Sequence, residues 1–466
     1  MTALHYRSLA TTAADIRCGA ISSEEVTRHV LSRIAELEPR LHAFAEVRAD
    51  AALDEAKHAD ACRLRGEPLG TLHGVPIAVK DLCAMAGTCT RAGGFFPTRF
   101  APTDTATVVS RLQGAGAIVI GKAQLTEGAF GPHHPDIAPP VNPWAPDRWA
   151  GESSSGSGVS VAAGLSYAAL GTDTGGSIRH PSACNHLVGL KPTWGRVSRH
   201  GVFGLSATMD HVGPMARTVL DVAILFDVIG GADARDVTTL VEPMPNCTSA
   251  AQKGTLKGRR IAIDPNYTLA NLDESTSTAL NAAMADMKAA GAVFVEVRLP
   301  DVRPMLERMI SAVFVDDAIT HAPTYPSHKS SYSPAAARFL ELGQTTLAAD
   351  YALLAIWRRE FLGHLTRMFE AAELFIAPVA SIEPPTLEEI GAMANAPWPS
   401  TEPLLAHTIP FNLAGVPSLT LPMRTGSSGV PLGFQMIGPN LGESTLLAAG
   451  AAFERITGFS TSHPGI

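Results

Sequence analysis

Gly151-Glu152-Ser153-Ser154-Ser155-Gly156-Ser157-Gly158 and Gly171-Thr172-Asp173-Thr174-Gly175-Gly176-Ser177-Ile178-Arg179 are two glycine- and serine-rich runs, separated by a small apolar segment, 159–170. Ser177 directly follows two glycines, a setting in which backbone N–H groups can crowd around a reacting carbonyl. Lys80 lies upstream in His73-Gly74-Val75-Pro76-Ile77-Ala78-Val79-Lys80-Asp81, at the end of an apolar run that can bury it. Together these segments point to acyl transfer by an activated serine, with no metal and no histidine base.

Around this stretch the apolar pattern alternates between short strands and helices. The run 75–79 reads as a β-strand after a glycine, 107–112 as a helix, and 117–120 as the next strand. Strand, helix, strand implies parallel pairing through a crossover. The rhythm recurs at 261–263, 275–290 and 293–297. Short strands follow at 374–377, 418–421 and 433–436, and 442–455 reads as a closing helix. Near the start, Ser22-Ser23-Glu24-Glu25 reads as a capping box, and Val26, Val30, Ile34 and Leu37 follow at helical spacing before Pro39. A second helix is expected over about 45–63, and long surface loops near 323–334 and 380–403. The fold class read from this pattern is α/β. One large domain spans 1–466, with a mixed central sheet covered by helices on both faces and a helical, cap-like region at about 303–370.

Composition narrows the partners. The chain has 466 residues, 46% of them hydrophobic and 17% charged, as a globular protein does. A net charge of −8 argues against nucleic acid or an anionic membrane as the main partner. No apolar run reaches the roughly 18–20 residues of a spanning helix, and the N-terminus lacks a signal-peptide layout. The six cysteines are scattered without a C-x-x-C pair, so neither a disulfide framework nor a zinc site is indicated. A reducing cytoplasm and a small-molecule substrate fit best, with no cofactor and no metal; a homodimer is possible.

The segments quoted above carry a family resemblance. The run 151–199, ending Gly189-Leu190-Lys191-Pro192-Thr193-Trp194-Gly195-Arg196-Val197-Ser198-Arg199, resembles the signature of the amidase signature family. The segment 73–81 is similar to that family's lysine segment, and Asn142-Pro143-Trp144 to its approach to the serine loop. Pro410-Phe411-Asn412-Leu413-Ala414-Gly415-Val416-Pro417 and Gly433-Phe434-Gln435 are similar to its C-terminal pattern. The resemblance covers most of the chain and is weakest over about 240–370. It implies a Ser-Ser-Lys triad: Ser177 the nucleophile, Ser153 a bridging serine in a cis peptide, Lys80 the base. It also implies an oxyanion hole from the N–H groups of Thr174, Gly175, Gly176 and Ser177, with Ser154 beside the substrate. Lysine serves as a base only when neutral, so burial must lower its pKa; Asp81 is expected to point away from it. Two positions depart from the family pattern: Glu152 and Ser155 each stand where glycine is common, and Glu152 could line the pocket.

Blander readings stand beside these. A Ser/Gly segment alone is most often a loop, and 171–177 lacks the order of a phosphate cradle. Asp173 and Arg179 read as loop-fastening residues, with a substrate contact by Arg179 as the alternative. His133 and His134 are rim residues or solvated, and His180 is either structural or substrate-facing. The expected activity is hydrolysis of an amide through an acyl-enzyme. Carbamates, urea-like compounds and esters share the tetrahedral intermediate and stay open as substrates. The alternative is the glutaminase subunit of an amidotransferase; a non-catalytic binding protein is disfavoured because Lys80, Ser153 and Ser177 are all present.

Overall fold

The computed structural model describes residues 2–396 and 398–466. Eleven strands among them form one sheet: β1 Phe44–Val47, β2 Pro76–Lys80, β3 Ile118–Ala123, β4 Ala168–Asp173, β5 Val188–Lys191, β6 His211–Ala216, β7 Arg260–Ile263, β8 Val293–Glu296, β9 Leu374–Pro378, β10 Ser418–Pro422 and β11 Gly433–Ile437. Their order is β1-β3-β2-β4-β6-β5-β10-β11-β9-β7-β8. β2 pairs in parallel with both β3 and β4, and β7 in parallel with β8 and β9. The strands between them run antiparallel, so the sheet is mixed. β2, β3, β4, β6, β9, β10 and β11 are buried at every position. Burial on alternate side chains alike means that both faces are covered.

The strand–helix–strand expectations are met. The helix Thr107–Gly114 joins the parallel pair β2 and β3, and Glu274–Ala289 joins β7 and β8. Ser22 caps the helix Ser23–Leu41 by accepting from the Glu25 N–H, one half of the expected capping box. Two expectations are corrected. Residues 44–47 are a strand rather than the first turn of a helix, because they pair antiparallel with the edge of β3; the helix begins at Ala49 and ends at Leu64. The stretch 380–403, of which residue 397 lies outside the described residues, is not all loop. It holds the helix Leu387–Asn395, opened by a reciprocal capping box between Thr386 and Glu389.

Three helices, Arg303–His321, Pro334–Thr345 and Ala348–Ala371, make up the block between β8 and β9. Asp316 fastens it to the core by accepting from the hydroxyls of Ser206 and Thr208. Phe130, just past β3, packs with Phe314 and Phe339 of the block at ring separations of 5.3 and 5.2 Å. The block therefore meets the core on the side where β2, β3 and β4 end.

Candidate active site

Lys80, Ala123 and Asp173 are the last residues of three parallel neighbours, β2, β3 and β4. The carboxyl ends of parallel strands open onto loops that are free to carry chemistry. Lys80 is wholly buried. Its Nζ donates to Ser153 Oγ at 2.7 Å, Ser154 Oγ at 2.9 Å and Thr172 Oγ1 at 2.9 Å. Burial pushes the amine down to about 7, against a pull upward from Asp173, Cys83 and Asp210. Asp81 turns away, as expected: its carboxylate pairs with the buried Lys122 at 2.7 Å and accepts from the Arg91 N–H.

The hydrogen bonds around the amine assign directions. Ser154 donates its own proton to the Thr172 carbonyl at 3.2 Å, so it can only accept from Lys80. Ser153 Oγ has Lys80 as its one hydrogen-bond partner among the described residues. A neutral amine has two N–H bonds and one lone pair; the Ser153 proton is free to point at that lone pair. The Glu152–Ser153 peptide is cis. Ser177 is half-buried, its carbonyl accepts from the Ser154 N–H at 3.2 Å, and its hydroxyl makes no hydrogen bond among the described residues. Lys80 and Ser153 are thus joined directly, while Ser177 is tied to the pair through backbone.

Asp173 shapes the turn that presents Ser177. Its carboxylate accepts from the N–H groups of Gly176 (2.8 Å) and Ile178 (3.1 Å) and grips Arg179 through two 3.0 Å bonds. Burial alone would raise this carboxyl, but the Arg179 guanidinium outweighs it and holds the group well below the usual carboxylate range. The Gly176 N–H is therefore engaged by Asp173 and is not free to face an oxyanion. The N–H groups of Thr174, Gly175 and Ser177 make no hydrogen bond among the described residues. Gly176 serves in another way. With φ at +129°, a Cβ there would lie 2.3 Å from the His180 ring, so only glycine fits.

The remaining candidates separate clearly. Arg179 is fully buried and spent on Asp173, the Thr408 carbonyl, Gln435 and Asn412, which leaves nothing for a substrate. Ser154 Oγ accepts from the Lys80 amine and donates to the Thr172 carbonyl. His180 donates its Nε2–H to the Leu404 carbonyl at 2.9 Å, and burial pulls its pKa to about 4. His133 sits 3.2 Å from Ser155 Oγ beside the serine loop, also lowered to about 4, first by burial and further by Lys80. His134 is buried against Phe95, 4.8 Å away, and accepts from the Asp136 N–H. Ser155 opens the helix Ser155–Ala162 without a side-chain cap. Glu152 is crowded near Trp149, and burial pushes its carboxyl up to about 7. Thr172, Thr408, Asn412 and Gln435 had no assigned role in the sequence. The last two lie in the C-terminal runs quoted there, but nothing in one chain says that they converge on Arg179.

A buried lysine on a serine loop at the carboxyl ends of a mixed sheet is the setting of a hydrolase, and comparison with known proteins agrees. The sequence model of the amidases matches residues 25–447. AmiD of Mycobacterium tuberculosis, a putative amidase by name, is 42% identical over 451 residues, covering 97% of this chain and 94% of that protein. A glutamyl-tRNA(Gln) amidotransferase subunit from Chloroflexus aurantiacus is 35% identical, covering 100% and 99%. Among solved structures, native peptide amidase from Stenotrophomonas maltophilia superimposes with a TM-score of 0.81 at 30% identity, covering 97% of this chain and 96% of that one. The class is that of hydrolases acting on carbon–nitrogen bonds other than peptide bonds. Within it, this chain belongs to the amidase signature family.

Proposed function

We propose that the chain hydrolyses a small-molecule amide through an acyl-enzyme on Ser177, with Ser153 and Lys80 as its proton relay. The observation that carries this reading is the fully buried Lys80 amine, 2.7 Å from Ser153 and lowered to about 7. Ser177 Oγ attacks the carbonyl carbon. Its proton passes to Ser153 Oγ as the Ser153 proton passes to Lys80 Nζ. The carbonyl oxygen becomes an oxyanion facing the N–H groups of Thr174, Gly175 and Ser177. Collapse of the intermediate breaks the C–N bond, and the leaving nitrogen takes a proton back from Lys80 through Ser153. Water then attacks the acyl-enzyme along the same path and frees the acid. Carbamates and esters form the same intermediate and remain possible substrates of this machinery. Six free cysteines suit a reducing compartment, and no described helix is long and apolar enough to cross a membrane.

The test is covalent. A fluorophosphonate should add once per chain, and peptide mapping should place the adduct on Ser177; an adduct on Ser153 or Ser154 would reverse the roles. The similarity to the amidotransferase chain of Chloroflexus aurantiacus supports a second reading, a glutaminase that hands ammonia to a partner chain. Turnover of simple amides by the purified chain, with glutamine left intact, would exclude it.

A further inference from the structure

Beside the Lys80 site the structure gathers four carboxyl groups, where the helical block meets the core. Glu127 follows β3, Asp210 precedes β6, and Asp316 and Asp317 are neighbours on the helix Arg303–His321. Neutral donors satisfy three of them. Glu127 accepts from the Ser333 N–H at 3.1 Å. Asp210 accepts from the Thr174 hydroxyl at 2.5 Å and from the N–H groups of Leu205 and Ser206 at 2.8 and 3.0 Å. Asp316 accepts from Ser206, Thr208 and, at 2.8 Å, the Tyr351 hydroxyl.

Asp317 is different. Its side chain is only 7% exposed, and its buried Oδ1 has no hydrogen-bond partner among the described residues. The nearest basic atom is His321 Nε2, 3.4 Å away. That imidazole is buried and held at about 4, and its Nδ1 is bonded to the Tyr332 hydroxyl at 3.0 Å. No described lysine or arginine bonds to any of the four carboxyls. A buried carboxyl without a donor is costly, and it is the kind of group that a ligand completes. The cluster adjoins the chemistry, because Asp210 holds Thr174, three residues before Ser177. Phe96, Phe203 and Tyr332 pack on the ring of Asp317's neighbour His321 at 4.8, 5.2 and 5.4 Å.

We propose that Asp317 anchors a primary ammonium group on the substrate, so that the preferred amides of this enzyme are cationic. The proposal deepens the amidase reading and rests on it. Burial and the nearby Asp210, Glu127 and Asp316 carboxyls raise the Asp317 pKa above the usual carboxylate range. An ammonium entering beside it supplies the missing donor and a counter-charge that favours the carboxylate. A neutral substrate of the same shape would leave the carboxyl group unpartnered.

The experiment compares ω-amino amides with isosteres in which a methyl replaces the ammonium, such as 5-aminopentanamide with hexanamide, over a series of chain lengths. Each is tested for slowing the fluorophosphonate labelling of Ser177 in the wild-type chain and in Asp317→Asn. At one length the amino amide should protect the wild type at about 10- to 100-fold lower concentration than its isostere, the range of a charge-assisted hydrogen bond. In Asp317→Asn that advantage should vanish, with hexanamide protection and the unprotected labelling rate unchanged. Equal protection by the isosteres at every length, or an advantage that survives the substitution, overturns the proposal while leaving the amidase reading intact. If Ser177 is not labelled at all, the amidase reading fails instead. Calorimetric binding of the same amide pairs then decides the Asp317 site alone. Should Asp317→Asn not fold, Asp317→Leu serves the same comparison.

Discussion

The proposed relay makes two demands on Lys80 that pull against each other: burial to keep it neutral, and partners to hold it in place. Three hydroxyl oxygens within 2.9 Å meet both needs, since hydroxyls hydrogen-bond either protonation state without adding charge. In the proposed relay Lys80 accepts a proton and must be neutral, so kcat/KM should rise as pH climbs through about 7 and level off on the alkaline side. Lys80→Met should lower kcat by on the order of a thousandfold or more, because members of a relay act as a unit. A folded variant, checked by circular dichroism, that kept more than about a tenth of the wild-type rate would refute the relay. Glu152 allows a second measurement. Its carboxyl is raised from 4.5 to about 7 by burial, so the native state binds the extra proton between these values and loses stability as pH rises through them. Glu152→Gln should therefore change little near pH 4 and stabilise increasingly up to pH 7 and above. The plateau should be about 1.5–3 kcal/mol, below the full linkage value because the side chain keeps some surface. Denaturant midpoints at pH 5 and pH 8 would show it; an equal gain at both would contradict the buried carboxyl.

At the scale of elements, the turn after β4 depends on one carboxylate. Asp173 satisfies two backbone N–H groups and pairs with an arginine that has no access to water. Asp173→Asn would leave the Arg179 charge buried without its counter-ion, a loss of about 3–5 kcal/mol by the precedent of broken buried pairs. The thermal midpoint should fall by several degrees, and labelling of Ser177 should slow because the turn that presents it is loosened. An unchanged midpoint would show that Gln435 and Asn412 suffice to hold Arg179. Much of this region was legible in the sequence: the quoted glycine and serine runs, the lysine strand and the C-terminal strands all fall where the pattern put them. The errors have physical causes. Phe44–Val47 became a strand through pairing with β3, some 75 positions along the chain, which no local pattern encodes. β6 contains Gly213 and Pro214, and proline ordinarily argues against an interior strand. The helix Val219–Ile229 is buried on nearly every side, so it has little amphipathic period to read. The Gly176 N–H was expected to be free because a sequence cannot show that the neighbouring Asp173 side chain folds back onto it.

At the scale of the whole molecule, the helical block docks on the core beside the ends of β2, β3 and β4. The sheet carries Lys80 and the turn before Ser177, while the block carries Asp317, the proposed ammonium anchor, and His321 from a region where the sequence resemblance is weakest. A hinge between such parts should be visible as a loss of local stability without loss of the sheet. The seam runs through Phe130, Phe314 and Phe339; the last two stack at 5.1 Å, and Phe339 lies so close to Gly131 that a Cβ there would meet its ring at 2.4 Å. Phe339 is half-buried, so Phe339→Ala should cost about 1–2 kcal/mol from lost apolar contact and ring pairing, less than a core phenylalanine. The contacts with Phe130 and Gly131 belong to the docking of the block and the stack on Phe314 to its interior, and neither belongs to the strands. Hydrogen exchange should therefore quicken across 303–371 in the variant and stay unchanged in β2, β4 and β6. KM should rise more than kcat falls, because Lys80, Ser153 and Ser177 belong to the sheet side and keep their geometry. Uniform acceleration of exchange over the sheet and the block together would mean that the two unfold as one unit, and that the block cannot move independently above the site.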